Sequence, residues 1–216
     1  MAPLLAGPPA LTDDPFVPAL GTFEINLATE VVENNRSLIK APLIDMNYGF
    51  KNLEVTLRSS YISDGSQEDF DSVKVEVKWL FYQGDTFAMA IHPKYLMYPI
   101  DTVFDDGEAF EMGLPMNLRI NKRLDLVMNL TYFKPKYFKK HFEFGSYLKY
   151  TEGRNSYFLE AYFEESALSH EISYLSNLGY RLQYSKDRAL LVSVGRDLKS
   201  ENEKRTLAYV ALQLIL

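Results

Sequence analysis

The chain has 216 residues, 23 Lys and Arg against 29 Asp and Glu for a formal net charge of -6, and no cysteine; it is 47% hydrophobic and 14% aromatic. That length holds one domain, large β-barrels included; the apolar share excludes disorder, and the missing thiols exclude disulfides, thiolate metal sites and cysteine nucleophiles. The acidic balance, without a basic patch, argues against a nucleic-acid partner, and the lack of an apolar run of 18 or more residues excludes a transmembrane helix but not barrel strands, whose signal per segment is weaker.

Residues 1–20 differ from the rest of the chain. They hold Pro3, Pro8, Pro9, Pro15 and Pro18, and proline removes ladder donors. An irregular or extended arm is predicted over 1–20, and a barrel domain over 21–216. Pro3-Leu4-Leu5-Ala6-Gly7 reads either as the remnant of a signal peptide at 1–6 or as an ordinary start.

Period-two alternation then predicts strands at 21–31, 38–48, 52–62, 72–82, 86–97, 109–120, 123–133, 140–150, 156–164, 172–184, 188–197 and 206–216. In the first, Phe23, Ile25 and Leu27 share one face and Glu24, Asn26 and Ala28 the other. In the fourth, Val73, Val75, Val77, Trp79 and Phe81 oppose Lys74, Glu76 and Lys78. Pro93 and Pro115 fall inside predicted strands, where local bulges are expected.

The connections alternate in length. Gly49-Phe50-Lys51, Gln83-Gly84-Asp85, Asn121-Lys122, Glu152-Gly153-Arg154 and Ser185-Lys186-Asp187 are turn-like. Between them lie longer links such as Ser63 to Asp71, Tyr98 to Glu108 and Leu198 to Arg205. Outer-membrane barrels have short periplasmic turns and longer extracellular loops. The predicted fold class is therefore all-β: an antiparallel, up-and-down transmembrane barrel of about 12 strands in a Gram-negative outer membrane, in contact with its lipids.

Several stretches carry a family resemblance, in order along the chain. Gly7-Pro8-Pro9-Ala10-Leu11-Thr12-Asp13-Asp14-Pro15, followed by a strand, is the most specific. Asn47-Tyr48-Gly49 after Asp45, the spaced Pro93 and Pro99, Leu114-Pro115, and Leu190-Leu191-Val192-Ser193-Val194-Gly195-Arg196-Asp197 are the others. Together they resemble a bacterial family of outer-membrane barrels associated with the meta-pathway of phenol degradation. Phe16 departs from the family pattern, which commonly has an acidic residue there. The resemblance implies a transporter. It carries no catalytic residues over.

Strand phase turns a set of polar residues inward: Glu24, Asn26, Asp45, Asn47, Glu54, Arg58, Lys74, Glu76, Lys78, Glu111, Asn117, Arg119, Asp125, Glu143, Lys149, Glu160 and Arg181. They are read either as the lining of a solute pathway or as a salt-bridge network filling a narrow barrel. Their mixed signs argue against strong ion selectivity, which uses rings of one sign. About eight strands leave a filled interior and 16–18 an aqueous channel, so about twelve predicts a small or occluded pore. Thr12, Asp13 and Asp14 are plug candidates, with Arg58, Lys74 or Lys78 as expected partners of the two carboxylates.

Catalysis is not expected. His170 lies near Ser169 and Ser173, but no orienting group is apparent. Asp101, Asp105 and Asp106 are read as solvated loop charge rather than a calcium site. No cofactor or metal is implied. The expected function is passive passage of small solutes, hydrophobic or aromatic ones among them. A barrel lipid hydrolase, and a narrow structural or adhesive barrel without conductance, stay open as alternatives. So does a soluble ligand-binding barrel, which would require the two faces to be reversed.

Overall fold

The computed structural model describes residues 10–33, 37–63, 65, 68–97, 108–136, 140–165, 172–199 and 204–216. Its strands are β1 Phe23–Glu33, β2 Ser37–Gly49, β3 Leu53–Ser63, β4 Glu68–Gln83, β5 Phe87–Met97, β6 Glu108–Arg119, β7 Leu124–Pro135, β8 His141–Glu152, β9 Asn155–Glu165, β10 Ile172–Ser185, β11 Arg188–Lys199 and β12 Thr206–Ile215. Each pairs antiparallel with its chain neighbours, and β1 closes on β12 to make a 12-stranded barrel. At the seam Phe23 and Leu216 exchange backbone hydrogen bonds of 3.2 and 2.8 Å. Closure leaves no unpaired edge, which a sheet in hydrocarbon requires.

Alternation sets the two surfaces. Glu24, Asn26 and Ala28 on β1 are buried while Leu27 is exposed. On β4, Glu76 and Lys78 are buried, while Val75, Val77 and Trp79 are exposed. Leu57, Leu130, Leu148, Leu159, Leu178, Val194 and Val210 continue the apolar exterior around the barrel. Aromatic pairs flank it at both ends. Tyr48–Phe50, Trp79–Phe81, Tyr82–Phe87 and Tyr150–Tyr157–Tyr180 lie toward the turns. Tyr61–Phe70, Tyr132–Phe142 and Phe144–Phe163–Tyr174 lie toward the loops. An apolar band between aromatic girdles is the signature of a transmembrane barrel. It is the opposite of what a soluble ligand-binding barrel needs.

Two sequence expectations are corrected here. First, Pro93 and Pro115 do not produce bulges. The β5–β6 register runs unshifted from Phe87↔Leu118 to Met97↔Glu108, and Pro115 sits opposite Asn129 in the regular β6–β7 register. A proline costs the ladder a donor without requiring an extra residue. The β4–β5 shift falls at Leu80/Tyr82 instead, and others fall at Ala28/Glu30 and Lys40/Leu43, around Pro42.

Second, the length parity is weaker than expected. The β1–β2 and β3–β4 links span only 34–36 and 64–67, no longer than the turns at 50–52 and 120–123. Most of the expected loop Ser63–Asp71 is strand, because β4 begins at Glu68 and pairs there with Ser63. Ser60 Oγ donates to Asp71 Oδ2 at 2.7 Å, tying this polar extension together. The other same-side links, 98–107, 136–140, 166–171 and 200–205, are longer than the turns.

Candidate functional site

Residues 10–20 enter the barrel and are held there. Thr12, Asp14, Pro15 and Phe16 are buried although they belong to no strand. The segment is fastened mainly through its backbone. Leu11 N and Thr12 N donate to the two oxygens of Glu160, at 3.0 and 2.6 Å. Lys78 Nζ donates to the Phe16 carbonyl at 3.3 Å. Phe16 N donates to Asp14 Oδ1 at 3.0 Å, a local turn that Asp between prolines favours. At the turn end Gly21 N donates to Gly49 O at 2.8 Å.

Apolar contacts seat the arm as well. Phe16 packs with Leu80 and Ala88, and Ala10 packs against Val127, Tyr147 and Phe158. Gly145 on β8 makes room for Thr12: a Cβ there would overlap the Thr12 side chain.

The two arm carboxylates differ. Asp13 Oδ2 accepts from Lys94 Nζ at 2.5 Å and lies 3.4 Å from His92 Nδ1. Burial raises the Asp13 carboxyl, but Lys94 and His92 outweigh burial and hold it well below the usual carboxylate range. For Asp14 burial outweighs Lys78 and Lys149, and its carboxyl is raised. Of the expected cations, Lys78 does hold the arm, through the Phe16 carbonyl and as the strongest opposite charge acting on Asp14, while the other two are corrected. Arg58 pairs with Asp45, and Lys74 with Glu76 and Glu111 at 3.9 and 3.4 Å. Asp13 takes Lys94, which the sequence reading did not place inward. On β5 Ala88, Ala90, His92, Lys94 and Leu96 form one buried face. The alternation was present; Pro93 within it obscured the phase.

Above the arm, toward the loops, lies a cavity of about 610 Å³. Ala10 to Asp14 form part of its wall. Of the residues expected inward, Asn26, Asp45, Asn47, Glu54, Arg58, Lys74, Glu76, Lys78, Glu111 and Glu143 line it. A ladder of charge crosses five strands: Asp45–Arg58–Glu76–Lys74–Glu111–Lys94, with Lys94 3.2 Å from Glu111 and His92 Nε2 2.9 Å from Glu76 Oε2. The wall holds ten carboxylates against six Lys and Arg, so the excess is acidic.

The other expected residues lie deeper. Glu160 holds the arm. Arg181 NH2 donates to Gln213 Oε1 at 3.1 Å, and Gln213 Nε2 to Glu24 Oε2 at 3.3 Å. Arg119 pairs with Asp125 at 3.4 Å, and Lys149 Nζ sits 5.9 Å from the Phe158 ring centroid. Asn117 is buried. Both amide atoms of Asn26, and Glu24 Oε1, have no protein hydrogen-bond partner.

Among the inward polar residues that the sequence reading missed are His92, Lys94, Asp71, His141, Asp197 and Gln213. All but Asp71 follow their strand's alternation; Asp71 is the extra residue at the β3–β4 register shift between Ser60 and Tyr61, and it was hidden in an expected loop. His170, Ser169, Asp101, Asp105, Asp106, Pro99 and Gly7–Pro9 lie outside the described residues.

No family model matches the chain, and no curated relative does. Solved structures do. The barrel is similar to NanC porin at a TM-score of 0.70 and 8% identity, covering 88% of this chain and 98% of that one. It is similar to an outer-membrane channel from Pseudomonas putida F1 at 0.68 and 8%, covering 93% and 97%. KdgM porin gives 0.63 and 12%, covering 88% and 98%. At these identities the likeness shows the fold: the chain has the architecture of bacterial outer-membrane channels.

Proposed function

We propose that this chain is an outer-membrane channel for passive passage of small solutes, restricted from the turn side by its own N-terminal arm. The observation that carries this reading is the charge-lined cavity whose wall includes Ala10 to Asp14, inside an apolar exterior. Closely paired charges would fill a sealed barrel equally well. The cavity of about 610 Å³ among them, with polar groups on every side, supports a lumen with room for water over a sealed one. The fold shared with porins supports the same reading.

The arm's ordered motif, Thr12 to Pro15 within it, is the strongest link to the barrels associated with the meta-pathway of phenol degradation. That link would favour hydrophobic or aromatic solutes. The lining itself supports small polar ones better, since an apolar solute gains little from ionised walls. No catalytic step is part of the proposal.

The test is reconstitution of the refolded protein in planar bilayers under a salt gradient. Small single-channel currents are expected, with a reversal potential displaced toward the cation side by the acidic excess in the lining. A folded, inserted barrel that passes no current, with or without residues 2–18, would contradict the proposal and leave the structural-barrel reading.

A further inference from the structure

Three potential metal ligands meet at the loop-side mouth of the lumen. His141 and Glu143 are two positions apart on β8, so both side chains fall on the inner face. Glu164 on β9 is directly opposite Glu143 in the ladder. One ligand atom from each of the three lies within 4.8 Å of the others. His141 Nε2 is 3.3 Å from Glu143 Oε1. The Glu143 and Glu164 side chains, 17% and 36% exposed, line the cavity, and His141 is buried beside them.

Two further relationships distinguish this cluster from chance surface charge. Like charges directly opposite on one face of an antiparallel pair destabilise the sheet; Arg205 offsets Glu164 through one oxygen, while Glu143 has no Lys or Arg partner among the described residues, so the pair still carries uncompensated negative charge. Each carboxylate also has one oxygen fixed from outside the trio. Tyr162 OH donates to Glu143 Oε2 at 2.5 Å, and Arg205 NH2 donates to Glu164 Oε2 at 3.2 Å. Arg205 is itself held by Asp197 at 3.0 Å. Outer partners of this kind orient metal ligands while leaving each carboxylate a second oxygen.

We propose that His141, Glu143 and Glu164 bind a divalent transition-metal ion of the zinc type, with Tyr162 and Arg205 as positioning residues. One imidazole and two carboxylates form a three-ligand set that leaves a position open to water, as zinc accepts. Calcium and magnesium prefer all-oxygen shells with more ligands. Zinc bonds of about 2.0–2.2 Å require the three atoms to draw closer, and the half-exposed Glu164 has the freedom to move. The ion would replace the repulsion across β8 and β9 with a cross-strand link and add positive charge at the mouth.

Calorimetric titration of chelator-treated, refolded full-length protein with zinc chloride tests this. One equivalent should bind with micromolar or better affinity, undisturbed by millimolar magnesium. His141→Gln and Glu164→Gln should each weaken binding by about 10-fold or more, and Tyr162→Phe by about 10-fold, the range of outer-shell effects. The X-ray absorption spectrum of the wild-type zinc complex should show one imidazole among oxygen ligands, a readout that needs no variant to fold. Lack of zinc binding by the wild type, unchanged affinity in both His141→Gln and Glu164→Gln, or a spectrum without imidazole would each overturn the site. None of these readouts depends on conductance.

Discussion

Lys94 Nζ stands 2.5 Å from Asp13 Oδ2, although 81 positions separate the two residues along the chain. The contact ties the arm to the β5 wall, and both partners are largely screened from bulk water. Lys94→Met removes the cation and leaves a half-buried carboxylate without its nearest partner, a loss smaller than the roughly 3–5 kcal/mol of a fully buried pair. The arm should loosen, and chymotrypsin cleavage within it, after Leu11 or Phe16, should speed up in the folded protein. Asp13→Asn with Lys94→Met should recover part of the protection, because the unpaired charge is then gone.

The seat of Thr12 gives a second test. A Cβ at position 145 would overlap the Thr12 side chain, and overpacking of this kind costs about 1–3 kcal/mol. Gly145→Ala should displace the arm and raise conductance while the barrel remains folded. Thr12→Gly in the Gly145→Ala background should restore low conductance, because the added methyl then occupies the space of the lost side chain.

The outer face is tested by charge. Val75 and Leu126 lie on the lipid side of their strands, opposite in phase to buried Glu76 and Asp125. Val75→Arg and Leu126→Arg should each lower refolding stability in lipid by about 2–4 kcal/mol at mid-membrane depth. Denaturant titration in bilayers measures it, and a negligible cost for both would contradict the membrane assignment.

Sidedness can be read from the turn and loop ends. Lys204→Cys, in the 200–205 link, should react with an impermeant thiol reagent on intact cells. Lys186→Cys, in the β10–β11 turn, should not. With no native cysteine, the background is clean. Labelling at position 186 alone would invert the topology.

The fold was largely legible because its signal is local. Alternation in Leu53 to Tyr61 or Val73 to Phe81 needs no knowledge of the partner strand, and the strands lie where that pattern put them, mostly to within two residues at each end. The start of β4 was misread because Glu68, Asp69 and Asp71 look like loop, yet a strand reaching past the apolar band tolerates polar residues on both faces. The site was less legible because its contacts are non-local. Asp13 meeting Lys94, Thr12 filling the space above Gly145, and Glu143 facing Glu164 all depend on register and on the path of an irregular segment. Pro93 was informative about hydrogen bonding but not about phase, and reading it as a bulge hid His92 and Lys94 on either side.

Restriction of a conducting lumen by residues 10–20 is tested most directly by single-channel recording of the full-length protein beside a variant lacking residues 2–18. A several-fold larger unitary conductance is expected for the shortened chain, with Asp13→Ala plus Asp14→Ala in between. Equal conductance of the full-length and shortened chains, both inserted and folded, would contradict a restricting arm.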